Sequence, residues 1–159
     1  MTTFDASSKP SFRERVHALA GHTTWREPTG AGTTHLRSIP SDHMIAAALS
    51  FGRRDANDIG PDIAYDRATG HMGHKNRVCA ALGKAMAADR SRLVQRNRAY
   101  IGVVAWAAYC IVVELPAVPK PEAVRDGDWA DLVAAAAYIL ETLAEDALSL
   151  AARRNKRAA

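Results

Sequence analysis

Pro116, Pro119 and Pro121 fall within six residues, and no other proline occurs between residue 62 and the C-terminus. Each proline removes a backbone donor and restricts the residue before it, so no helix crosses residues 115–121. That segment is a stiff connector, and the flanks on either side are free to be helical. From about Lys75 to Leu115 the chain is rich in alanine, leucine and arginine, which favours one long helix or two joined near Asp89. Leu93, Asn97, Tyr100, Val104, Ala108, Ile111 and Leu115 recur every three or four positions within it, the spacing of a packing stripe. Beyond the connector a helix is predicted from Asp126 or Asp128 to about Arg153, with Asp131 three positions after Asp128 in a capping arrangement. Its stripe is Trp129, Leu132, Ala136, Leu140, Leu143, Ala147 and Leu150. The two stripes are expected to meet as an antiparallel pair, brought close by the short side chains of Ala134–Ala137. Ile111-Val112-Val113 is β-prone but embedded in the helical period. The fold expected is all-α, a helical bundle with two long C-terminal helices and an extended, mostly irregular N-terminal arm.

The arm comprises residues 1–40, dense in glycine, proline and small polar groups. One short helix interrupts it, because Ser11-Phe12-Arg13-Glu14 has the form of a reciprocal capping box. Residues 41–159 form the helical domain, with the proline-rich connector at 115–121 and a basic C-terminal tail. Its first helix begins near Ser41 or Asp42, carries Met44, Ile45, Ala48 and Leu49 on one face, and stops at Gly52. Residues 52–74, punctuated by Gly60-Pro61 and Thr69-Gly70, read as loop.

At 48% hydrophobic residues the chain can build a core, which excludes a disordered or collagen-like identity. Cys79 and Cys110 are its two cysteines, too few for a zinc set or a secreted disulfide framework, so a reducing, cytoplasmic setting is expected. Their apolar surroundings point to packing rather than nucleophilic chemistry. The N-terminal sequence has no apolar run of the kind an export signal needs. The most apolar run, residues 99–113, would rise about 22 Å as a helix against a hydrocarbon layer of about 30 Å, so no membrane span is expected.

Charge is distributed unevenly. The whole chain carries 21 basic and 17 acidic side chains, yet residues 67–98 hold eight basic and one acidic, whereas residues 99–152 hold two basic and eight acidic. Arg90, Arg92, Arg96 and Arg98 concentrate the positive block just before the apolar stripe, and Arg153, Arg154, Lys156 and Arg157 form the tail. Several guanidinium groups in one block can approach a phosphate chain or an acidic protein together. No recognition helix, zinc finger or aromatic RNA-binding strand accompanies them, so base-specific reading is not expected.

The candidates for chemistry are few. Asp62, Asp66, His71 and His74 could converge as a site for zinc or another first-row divalent ion if their loop folds back, with His43 as a further imidazole. Their spacing lacks the HExxH form. The glycines between Thr29 and Thr34 lack a Walker lysine, and no cofactor is assigned. Glu141, Glu145 and Asp146 read as a solvated face. Trp25, a large aromatic between Thr24 and Arg26 in a polar arm, reads as an anchor to the bundle or to another subunit, while Trp106 and Trp129 read as core or helix-interface residues.

These features point to a non-enzymatic helical assembly or adaptor protein making homo- or hetero-oligomeric contacts, with the arginine block near nucleic acid or an acidic neighbour. The alternatives are a sequence-independent nucleic-acid-binding module and a small metal-dependent hydrolase using the His/Asp-rich loop.

Overall fold

The structure, a computed structural model, describes residues 9–22 and 39–158; among these it contains seven α-helices, one turn of 3-10 helix and no strand. In chain order they are α1 (Phe12–His22), α2 (Asp42–Ser50), α3 (Gly60–Thr69), α4 (Lys75–Ala87), α5 (Arg92–Arg96), the 3-10 turn (Arg98–Tyr100), α6 (Ile101–Val112) and α7 (Asp126–Ala158). The 33 residues of α7 extend about 50 Å and form the spine of an all-α bundle. Helices α3 and α6 pack most extensively on α7, α4 covers α6, and α1 lies across α2 and α3.

Several helix ends form where the sequence signals them. The Ser11 hydroxyl accepts from the Glu14 N–H at 3.2 Å and the Glu14 carboxylate accepts from the Ser11 N–H at 2.7 Å, which completes the capping box of α1. Ser41 caps α2 by accepting from the Met44 N–H. The break after α4 falls beside Asp89, where Asp89 accepts from the Ser91 N–H and Ser91 in turn caps α5.

Three expectations are corrected. Residues 60–69, read as loop, form α3. Pro61 sits in its first turn, where a missing N–H costs nothing, and Gly70 ends it in the left-handed conformation (φ 76°) with its N–H bonded to the Asp66 carbonyl. The signals taken as loop punctuation are therefore the two ends of one helix. The stretch from Lys75 to Leu115 is not one or two helices but α4, α5, the 3-10 turn and α6, with a second break at the buried Asn97. Asp128 does not cap α7; it lies inside the helix and is turned toward α5.

Gly52 follows α2 as expected, and its requirement is steric. A Cβ there would lie 2.2 Å from the Ala147 carbonyl oxygen, and one at Gly60 would lie 2.8 Å from that of Leu143. The corner between α2 and α3 thus rests directly on the backbone of α7. At the far end of α6, Glu114 adopts a left-handed conformation (φ 61°). The Leu115 N–H bonds the Cys110 carbonyl and the Glu114 N–H that of Ile111, so the helix closes in a Schellman motif without glycine before the proline connector begins.

The core is continuous. Val16 of α1, Ile45 and Leu49 of α2, Ile63 of α3, Val78 and Leu82 of α4, Val104 of α6, and Leu132 and Leu140 of α7 are fully enclosed. The stripe of α7 holds: Leu132, Ala136, Leu140 and Ala147 are buried. That of α6 holds at Val104 and Ala108 but not at Ile111, which is 51% exposed. Trp106, read as a core or helix-interface residue, is 42% exposed with the Lys75 ammonium 4.7 Å over its ring. No helix is long and apolar enough to cross a membrane among the described residues.

Candidate functional site

The i,i+4 spacing of Asp62 and Asp66 on α3 puts both carboxylates on one face, turned inward toward the start of α4. Asp66 is wholly buried and accepts three hydrogen bonds: from the Tyr109 hydroxyl at 2.7 Å, from the His74 backbone N–H at 3.1 Å and from His74 Nδ1 at 2.8 Å. A buried carboxylate is tolerated when its lone pairs are met in this way. Desolvation, and then the bond to Asp66, push the Tyr109 hydroxyl far above its ordinary value, so it stays a donor. Asp62 is clamped by Arg53, with NH2 at 2.7 Å from Oδ1 and NH1 at 3.3 Å from Oδ2, and Arg77 Nε lies 3.4 Å from Oδ2.

A recess of about 290 Å³ opens beside this cluster. Ala46, Leu49 and Pro61 form its apolar wall, and Ser50, Arg53, Asp62, Tyr65 and His74 its polar one. The Tyr65 ring meets the His74 ring edge-on at 5.5 Å and stacks with that of His71 at 6.3 Å.

Of the four residues considered as metal ligands, three come together: His74 lies 2.8 Å from Asp66 through Nδ1 and 3.6 Å from Asp62 through Nε2. His71 turns away to bond Asp42 through Nε2 at 2.7 Å, Asp66 is committed to Tyr109 and His74, and Asp62 to the two arginines. Among the described residues no group of three or more His, Cys, Asp or Glu side chains is arranged to hold a metal ion. Neither Arg53, Arg77 nor Tyr109 is singled out by sequence spacing. A tyrosine on the buried face of an apolar helix does signal that its hydroxyl needs a partner.

The arginine block divides. Arg96 is engaged with Asp128 through Nε at 2.7 Å and NH2 at 2.5 Å, and Asn97 donates to the same carboxylate at 3.0 Å. The Arg96 bonds, then that of Asn97, hold the Asp128 carboxyl down at about 2. Arg90, Arg92 and Arg98 are exposed, and among the described residues no carboxylate pairs with them. In the tail, Arg154 donates to the Phe51 and Arg53 carbonyls, while Arg153, Lys156 and Arg157 are exposed. From Asp128 to Arg153 the helix rises about 37 Å, so block and tail sit toward opposite ends of one chain and do not make one patch. Glu145, read as solvated, instead takes both terminal nitrogens of Arg15 and lies 3.8 Å from Arg67, tying α1 and α3 to α7. Burial pushes the Cys79 thiol up to about 11 and raises that of Cys110, as expected for packing residues. Trp25 lies outside the described residues.

The run Ala134–Ala137, expected to bring a neighbouring helix close, is buried only at Ala136 and Ala137, and its other half lies on the surface. Ala134, Ala135, Tyr138, Ile139 and Thr142 are all exposed on the outer side of α7, with Tyr138 at 70% and Ile139 at 40%. No charge interrupts this strip between Asp131 and Glu141. A solvated helix ordinarily carries charged residues at such positions.

No family model, no curated protein and no solved structure gives a significant match to this chain.

Proposed function

We propose that the protein is a helical assembly protein that self-associates through the outer face of α7. The observation that carries this reading is the uncharged strip at Ala134, Ala135, Tyr138, Ile139 and Thr142. The strip is self-complementary. In an antiparallel pairing about a two-fold axis between residues 136 and 137, Tyr138 of one copy falls opposite Ala135 of the second, Ile139 opposite Ala134, and Thr142 opposite Asp131. Large side chains then meet small ones, and a hydroxyl meets a carboxylate, as an isologous interface requires. Tyr138 supplies area, rigidity and a polar tip, the properties of an interface anchor.

Sedimentation velocity across a concentration series tests the reading. A concentration-dependent dimer is expected, and Tyr138→Glu, at an exposed position, should weaken it at least tenfold, about 1.4 kcal/mol, without lowering thermal stability. A strict monomer at all concentrations, or a dimer indifferent to Tyr138→Glu and Ile139→Glu, would overturn it.

A second reading, contact with a nucleic-acid backbone or an acidic neighbour, is favoured by the exposure of Arg90, Arg92 and Arg98 without carboxylate partners among the described residues.

A further inference from the structure

Residues 67–98 hold eight basic side chains, and three of them are spent inside the fold: Arg67 lies 3.8 Å from Glu145, Arg77 lies 3.4 Å from Asp62, and Arg96 is paired with Asp128. Lys75, Lys84, Arg90, Arg92 and Arg98 have no carboxylate partner among the described residues. Asp89, the one acidic residue of the segment, accepts from the Ser91 N–H. The cationic surplus is set beside an exposed aromatic ring. Arg98, Gly102 and Trp106 follow one another at four-residue intervals through the 3-10 turn and α6, and all three are exposed. They therefore lie along one outer side, about 12 Å from end to end. Helix α4 runs beside this row: the Cys79 thiol reaches the Ala105 carbonyl at 3.9 Å, and the Lys75 ammonium stands 4.7 Å over the Trp106 ring. A Cβ at Gly102 would meet nothing within 4 Å, so the approach to the indole from the Arg98 side is open. Arginines alone suit an acidic protein equally well. The exposed ring in line with them favours a ligand that brings a flat π-face together with its phosphates.

We propose that this side of the molecule binds single-stranded nucleic acid, with a base stacked on Trp106 and the neighbouring phosphates on Arg98, Arg92 and Arg90. The proposal rests on the reading of the arginine block as a nucleic-acid contact and adds the base contact that the block by itself does not supply. Every base has a π-face, so the site takes any sequence. Phosphate contacts release counterions and set the salt slope, whereas stacking does not. Trp106 thus contributes affinity without steepening the salt dependence.

Fluorescence anisotropy of the full chain across a salt series, with a short labelled oligothymidylate and with an abasic oligomer carrying the same number of phosphates, tests the proposal. The expected result is tighter binding of the oligothymidylate by about fivefold or more, with one salt slope for both oligomers. Trp106→Ala should abolish that preference and leave the slope unchanged, and Trp106→Phe should retain part of it. Comparing the two oligomers on the wild-type chain needs no variant, so it decides the matter even where Trp106→Ala loses stability. Equal wild-type affinity for the two oligomers, or a preference that survives in folded Trp106→Ala, would overturn the base contact and leave the phosphate contact standing. Absence of binding to both at low salt would overturn the nucleic-acid reading with it. Polyglutamate displacing the oligothymidylate as effectively as unlabelled oligothymidylate does would overturn the proposal and assign the block to an acidic protein.

Discussion

Asp128 illustrates how a single side chain departs from its local pattern. Its spacing to Asp131 has the form of a helix cap, yet α7 begins at Asp126 and Asp128 is drawn into a three-part contact with Arg96 and Asn97. Because its folded value, about 2, lies below the ordinary 3.8, its contribution to stability is present above pH 4 and is lost as the pH falls toward 2. In Arg96→Gln that contribution should already be small. The stability gap between wild type and variant, measured by urea unfolding at a series of pH values, is expected to be full near neutrality and to narrow between about pH 4 and pH 2. The Arg96 contact was not legible in the sequence, because 32 residues separate the partners and only the fold of α5 against α7 joins them. Asp62, Asp66 and His74 were legible as a polar group with a common purpose. Their partners were not, since Arg53, Arg77 and Tyr109 arrive from other segments of the chain.

At the level of elements, the sequence is most informative where one helix answers to its own residues. The capping box at Ser11, the cap at Ser41, the break near Asp89 and the buried stripe of α7 follow from local rules. Helix α3 was missed because Gly60-Pro61 and Thr69-Gly70 are both turn residues and helix-boundary residues, and only the packing of the ten residues between them decides which. The same corner carries a firm expectation. Gly52→Ala would drive a Cβ to 2.2 Å from the Ala147 carbonyl oxygen, a backbone atom that cannot swing aside. A loss of about 1–3 kcal/mol is expected from thermal or denaturant unfolding, in the range of other overpacked sites. Gly83 has nothing within 4 Å of such a Cβ, so Gly83→Ala within α4 serves as the control and should be neutral or stabilising.

For the molecule as a whole, the division of charge along the chain was readable from residue counts, but its arrangement in space was not. Acidic residues of the 99–152 segment neutralise part of the basic block internally through Asp128, while Glu145 serves Arg15 and Arg67 from helices at the other end. What remains for an outside anion near α5 is Arg90, Arg92 and Arg98. Binding of a short single-stranded oligonucleotide should therefore show a log–log salt slope no steeper than about −2, at roughly 0.7 per phosphate for three arginines. Triple replacement of these arginines by alanine should flatten it. A slope unchanged by that replacement would exclude the block as the contact.

In the antiparallel dimer proposed above, the separation of the two basic ends by about 37 Å of α7 would acquire another meaning. Each helix dipole then runs against its neighbour's, so the pair has almost no net axial moment. The cationic tail of either copy is carried past the beginning of the opposite α7, toward the side where Arg90, Arg92 and Arg98 lie. On that proposal, a chain with positive charge at two distant points would become a particle with two equivalent cationic poles, each assembled from both copies.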